Sequence, residues 1–159
     1  MRGRRSDYAL VRAITTRWSD NDVYGHVNNV VYYSLFDTVV NAALIEQGLL
    51  DPQTSSVIGL VVETGCRYRE PLSFPEPVEA AVRVARLGTS SVRYEIGLFG
   101  GNRQHAAAEG FFVHVYVDAT TRRPVPLPQE LRQFLETLVV EADAAGVAAV
   151  RPAERDRPQ

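Results

Sequence analysis

The chain has 159 residues, a formal net charge of −2 and a hydrophobic content of 45%. That length fits one domain with a sizeable core, and the near-neutral charge points away from nucleic acid or an anionic membrane as a partner. A single cysteine, Cys66, excludes a disulfide framework and suits a reducing, cytoplasmic setting. Cys66 lies in a strand-like run and reads as core rather than nucleophile. All 17 basic residues are arginine, which genomic base composition explains at least as well as phosphate chemistry does. Met1 to Ser6 is basic but leads into a strand pattern, so no signal peptide is expected. No apolar run reaches the ~18 residues of a membrane span.

In chain order, residues 1–7 read as a flexible lead-in and 8–143 as a single domain. Tyr8 to Trp18 forms a first strand through Val11, Ile14, Thr15 and Thr16. Ser19 to Asn29 is a polar loop. Val30 to Gln47 is apolar most of the way round, which predicts a buried helix. Its β-branched residues Val30, Val31, Val39 and Val40 make it a poor autonomous helix, so tertiary packing must form it. Asn28 or Asn29 can cap its start and Gly48 its end.

After a loop the period changes to two. Strands are predicted over Val57 to Arg69, Val78 to Val84, Val92 to Leu98 and Ala106 to Asp118, punctuated by Pro71, Pro75 and Pro77 and by turns at Gly88-Thr89-Ser90 and Gly100-Gly101-Asn102. In the last of these, Phe111, Val113, Val115 and Val117 share one face and Phe112, His114 and Tyr116 the other. Arg122 to Pro128 is a connector, Glu130 to Ala142 a short amphipathic helix, and residues 144–159 a disordered tail. Short connections imply antiparallel pairing. A long helix covered by one face of a curved antiparallel sheet is an α+β, two-layer arrangement.

The densest chemistry is Asp20-Asn21-Asp22-Val23-Tyr24-Gly25-His26-Val27-Asn28-Asn29, placed just before the helix. A helix start offers unpaired N–H groups and positive partial charge, a setting that suits a carbonyl about to become an oxyanion. A calcium loop would also begin Asp20, Asp22, Gly25, but Tyr24 and Val31 occupy positions that must ligate. No metal site is expected.

This stretch, continued to Tyr32, resembles the signature of hotdog-fold acyl-CoA thioesterases of the 4-hydroxybenzoyl-CoA thioesterase-like group. The pattern D-x-D-x-x-G-H-V-N-N-x-x-Y is matched at each fixed position. Tyr68-Arg69-Glu70-Pro71-Leu72, Gly88-Thr89-Ser90-Ser91 and Arg122-Arg123-Pro124-Val125-Pro126 also resemble family segments, and the likeness runs over roughly residues 8–140. It implies a five-stranded antiparallel sheet wrapped round one long helix, dimers with a continuous sheet that often pair into tetramers, and sites at the subunit interface.

The resemblance further implies roles. Asp22 stands where the family has its general base or nucleophile; the competing reading is a turn residue bonded to its own backbone. Gly25 marks a tight turn, and the helix-start amides, that of Asn29 above all, are the oxyanion donors. His26 either orients the carbonyl or packs. Tyr32 is expected at the pocket or subunit contact, with Glu63 the second carboxylate to test. Ser90, Ser91, Arg122 and Arg123 are the candidates for the coenzyme A portion. No cofactor is expected, coenzyme A entering as part of the substrate. Two other hotdog activities compete: an acyl-CoA or acyl-carrier-protein hydratase-dehydratase, and a non-catalytic acyl-CoA sensor.

Overall fold

A computed structural model describes residues 2–140; the expected disordered tail lies outside them. Five strands, β1 (Leu10–Ile14), β2 (Val57–Tyr68), β3 (Val78–Leu87), β4 (Ser91–Gly100) and β5 (Ala108–Asp118), form one antiparallel sheet in the order β1-β3-β4-β5-β2. A long helix, α1 (Asn29–Glu46), crosses its concave face, and a short one, α2 (Gln129–Thr137), closes one end. This is the hotdog fold.

The start of α1 is fixed by Asn28, whose side-chain oxygen accepts from Val30 N at 3.2 Å. Gly48, at φ +69°, ends it. Gly48 N donates to Ile45 O and Leu49 N to Leu44 O, both at 2.9 Å, which is the paired-bond stop that a left-handed glycine permits. Tyr32, Leu35, Phe36, Val39, Val40, Ala43 and Leu44 are buried. These fall at spacings of three and four, one stripe facing the sheet. The opposite side remains open: Val30 is 64% and Ile45 46% exposed. A single chain therefore covers only one side of a helix whose apolar residues occupy more than one stripe. Sheet and helix pack tightly at Gly110, where a Cβ would lie 2.2 Å from the Phe36 ring.

Three predicted elements differ in extent. β1 stops at Ile14, because Trp18–Asp20 forms a 3-10 turn held by Asp20. α2 stops at Thr137, short of Ala142, because Leu138 O is taken by Val84 N at 2.8 Å at the bulge in β3. Residues 2–7, expected as flexible, are tied to the sheet. Arg2 pairs with Glu70 at 2.6 Å and Arg5 with Glu79 at 2.5 Å, and Ala106 N donates to Gly3 O at 2.9 Å.

β2 is an edge strand. Its register with β5 slips between Val61 and Glu63, leaving Val62 as a bulge. Leu60, Val61 and Val62 stand exposed along this edge, Val62 at 62%. Long apolar edges are sites of further strand pairing.

Candidate active site

The loop from Asp20 to Asn28 is held by a closed set of backbone bonds. Asp22 N donates to His26 O at 2.7 Å, Gly25 N to Asp22 O at 3.1 Å, Val27 N to Leu72 O at 2.7 Å and Asn28 N to Asp20 O at 2.8 Å. Gly25 sits at φ +79° with nothing within 4 Å of where a Cβ would stand, so backbone conformation rather than crowding selects glycine there.

Side chains brace this loop from both sides. Buried Asp20 accepts from Arg17 N at 2.7 Å and from the Arg17 guanidinium at 2.8 and 3.1 Å. These bonds hold its carboxyl below the ordinary carboxylate range. Asn21 exchanges hydrogen bonds with the backbone of Phe74, and Ser73 Oγ donates to Gly25 O at 2.8 Å.

Asp22 is half-buried. Its Oδ1 accepts from Tyr24 N at 2.8 Å and His26 N at 3.3 Å. Both readings of this residue therefore coexist: one oxygen serves the turn, while Oδ2 accepts no bond from the described residues. Seven residues on, α1 begins. Val30 N and Val31 N are bonded to Asn28, whereas Asn29 N has no acceptor among the described residues. Tyr68, on β2, donates from its hydroxyl to Asn29 O at 2.9 Å and so pins this first turn to the sheet. The result is a carboxylate oxygen and a helix-start N–H carried by one braced loop.

Residues 16–135 match the family model of the thioesterase-like superfamily. The chain belongs to that superfamily. A comparison with curated proteins finds no match. Among solved structures, that of PA5185 from Pseudomonas aeruginosa strain PAO1 is 52% identical, covering 90% of this chain and 100% of that one at a TM-score of 0.87. PA2801 from Pseudomonas aeruginosa is 29% identical over 80% of this chain and 98% of that one, at a TM-score of 0.75. A thioesterase from Thermus thermophilus, solved in complex with coenzyme A and Zn, is 26% identical over 82% of this chain and 94% of that one, at a TM-score of 0.68.

For this member of the thioesterase-like superfamily, the expected site residues fall into two groups. Asp22, Gly25, His26 and Asn29 are together at the start of α1. The His26 imidazole is exposed and makes no hydrogen bond among the described residues; its backbone closes the Asp22 turn. Tyr32, expected at the pocket or the subunit contact, points inward in the chain. It is 3% exposed, its hydroxyl accepts from Leu72 N at 3.3 Å, and its ring meets Tyr68 edge-on at 5.0 Å, so it supports the loop from beneath. Cys66 is half-buried and burial pushes its thiol up to about 11, which keeps it protonated.

The second group lies at the far end of the molecule. Ser90 is in the β3–β4 turn and Ser91 begins β4, with Ser90 O accepting from Tyr116 N at 2.7 Å. Arg122 (φ +60°) and Arg123 lie in the turn after β5, clamped by the Asp118 carboxylate, which accepts from Thr120 N and Thr121 N. Neither arginine is in an ion pair among the described residues. Asp118 pairs with Val57, whereas the Asp22 loop adjoins Tyr68 at the other end of β2. An α1 of 18 residues separates the two groups by about 27 Å. Glu63 is exposed on the open edge of β2 between them. No group of three or more His, Cys, Asp or Glu side chains is placed to hold a metal among the described residues, and no helix is long and apolar enough to cross a membrane.

Asn21, Ser73 and Tyr68 escaped the sequence reading as loop-holding residues. Their partners are backbone atoms of segments far away in sequence, which no local pattern announces.

Proposed function

We propose that the protein hydrolyses an acyl-CoA or aryl-CoA thioester to the free acid and coenzyme A. The observation that carries this reading is the unbonded Asn29 N–H at the start of α1, on the same braced loop as the Asp22 carboxylate. Membership of the thioesterase-like superfamily and likeness to a Thermus thermophilus thioesterase in complex with coenzyme A support it.

Asp22 Oδ2 takes a proton from water, or attacks the carbonyl carbon itself. In the first route a C–O bond forms from water, and the oxygen's charge is received by Asn29 N–H and the positive helix start. The C–S bond then breaks and coenzyme A leaves as thiolate. A thiolate leaves without strong acid assistance, so the step needs no dedicated general acid. The exposed His26 imidazole stands beside the turn, where it can orient the thioester carbonyl.

The working unit we assign is at least a dimer built by pairing two β2 edges antiparallel. A two-fold axis near the middle of β2 sets Val57 of one copy opposite Tyr68 of the other. The start of one α1 then meets the far end of the second copy, with Ser90, Ser91, Arg122 and Arg123 there for the phosphates of coenzyme A. The exposed apolar edge of β2 and the open side of α1 support this assembly, as does the 93% exposure of Val23 and 81% of Tyr24 at the loop tip. The protein is assigned to the cytoplasm, with no resident cofactor.

The test is thiol release from a panel of short, long and aromatic CoA esters, run beside hydration of an enoyl-CoA. Hydrolysis of at least one ester without hydration is the expected result. Hydration without thiol release would replace this reading with the hydratase.

A further inference from the structure

The start of α1 is poorly stabilised by its own sequence. Val30 and Val31 are β-branched, and no acidic residue stands in the first turn to balance the helix dipole. Val30 is exposed, and the Asn28 cap, at 3.2 Å, is at the long end for a hydrogen bond. Tyr68 supplies what the sequence of the helix lacks. It is the last residue of β2, and its pairing with Ala108 of β5 fixes its backbone in the sheet. Its hydroxyl donates to Asn29 O at 2.9 Å, and its ring meets that of Tyr32, close to one turn further along α1, edge-on at 5.0 Å. A single side chain thus grips the first turn through both its ring and its hydroxyl. The pKa of that hydroxyl is raised, chiefly by desolvation, so it keeps its proton and donates throughout the neutral range.

We propose that Tyr68 is a positioning residue for the oxyanion donor: by holding Asn29 O, its hydroxyl aims the Asn29 N–H at the reacting carbonyl. The inference rests on the hydrolytic reading. The N–H and C=O of Asn29 lie on either side of one α-carbon and are related only through its φ and ψ, the soft dihedrals of the backbone. Tying the carbonyl oxygen to the sheet therefore restricts the direction of the N–H, which has no acceptor of its own among the described residues. A donor held in place needs no reorientation as charge develops on the substrate oxygen. Without the hydroxyl, Asn29 keeps only what the helix itself supplies, and its N–H samples directions in which it meets water instead. Tyr68 does not touch the reacting atoms. Its loss acts on the transition state and leaves the binding of coenzyme A, assigned to Ser90, Ser91, Arg122 and Arg123, as it was.

The test is Tyr68→Phe, which keeps the ring and removes the hydroxyl, assayed on the CoA ester that wild type turns over fastest. Its kcat should fall about tenfold or more, short of the roughly 10²- to 10³-fold loss of a deleted oxyanion donor, with KM unchanged. Thr137→Val, which removes a hydroxyl bonded to Phe134 O in α2, is the control for general loosening and should turn over as wild type does. A wild-type kcat in Tyr68→Phe, or a loss that falls on KM alone, overturns the proposal, as does an equal fall in kcat in Thr137→Val. A second measurement does not depend on hydrolysis: in backbone amide relaxation measured by NMR on the full chain, Asn29 and Val30 should lose order in Tyr68→Phe while Val39 and Val40 do not. Unchanged order at Asn29 overturns the proposal whatever the activity. If no CoA ester is hydrolysed yet Asn29 loses order, the hydrolytic reading fails and Tyr68 stands as the residue that positions this N–H.

Discussion

Asp22 is both a turn residue and the proposed base or nucleophile, and two substitutions separate these roles. Asparagine keeps an amide oxygen where Oδ1 accepts from Tyr24 N at 2.8 Å and His26 N at 3.3 Å, but has no carboxylate. Asp22→Asn should therefore fold with a stability change within about 0.5 kcal/mol. Asp22→Ala loses both bonds. The longer one is weak and water replaces both in part, so the cost is about 1 kcal/mol, a shift of roughly 2–4 °C in melting temperature for a domain of this size. Chemistry should not follow this order. Removing the base costs 10²- to 10⁴-fold in rate, about 3–5 kcal/mol of barrier, and the two variants should lose it alike. Thiol-release kinetics beside thermal melts measures both. If Asp22→Asn turns over at the wild-type rate and only Asp22→Ala is impaired, Asp22 is a turn residue and the mechanism is wrong.

Gly110→Ala forces a Cβ to within 2.2 Å of the fully buried Phe36 ring and 3.0 Å of Gly65 O. Overpacking of this kind should cost ~1–3 kcal/mol, read from urea unfolding, and a wild-type midpoint would mean that α1 rides higher on the sheet than described. In the proposed β2–β2 dimer Val61→Asp places like charges near the two-fold axis; a folded monomer by light scattering with thiol release lost is expected, and an active monomer refutes the shared site. Asp20 gives a pH dependence. Its folded pKa is lowered from 3.8 by the Arg17 bonds, so its contribution is complete above that value and disappears as pH falls through the folded pKa. Asp20→Asn should melt below wild type at pH 7 and converge with it in strong acid. Parallel melting curves across that range would exclude the Arg17–Asp20 contact as the source.

The sheet was legible because its strands alternate and its turns carry glycine, and α1 because Asn28 and Gly48 bracket an apolar run. Strand ends were misjudged where tertiary bonds decide them: Asp20 folds Trp18 out of β1, and Val84 at a bulge captures Leu138 before α2 can continue. The face of β5 that meets the helix was also undecidable from pattern. Phe111, Val113, Val115 and Val117 look the more apolar set, yet the first three are only half-buried, whereas Phe112, His114 and Tyr116 are buried along with Val117. Two tyrosine hydroxyls pair with each other there, which lets a polar-looking row sit in the core. Within the site, the Asp22 loop was readable because its residues are contiguous. Tyr32 was not, since facing the substrate or the core depends on one helical turn's rotation over Leu72.

On the proposed reading, neither half of the site is sufficient in one chain. A base beside an oxyanion donor supplies chemistry but leaves the rest of a long substrate in water. On that reading Arg122 and Arg123, in no ion pair among the described residues, would supply binding about 27 Å away, roughly one length of α1. Moving these groups together within one subunit would require breaking the sheet. Pairing β2 edges requires only that residues already exposed become buried. Leu60, Val61 and Val62 would otherwise expose an apolar edge open to further pairing. In the proposed dimer a second copy would close that edge, cover the open side of α1 and complete two sites at once. Stability and activity should therefore depend on protein concentration together. Dilution through the dimer dissociation constant should reduce specific activity and melting temperature over the same range, whereas an activity loss displaced from the melting shift would separate the site from the interface.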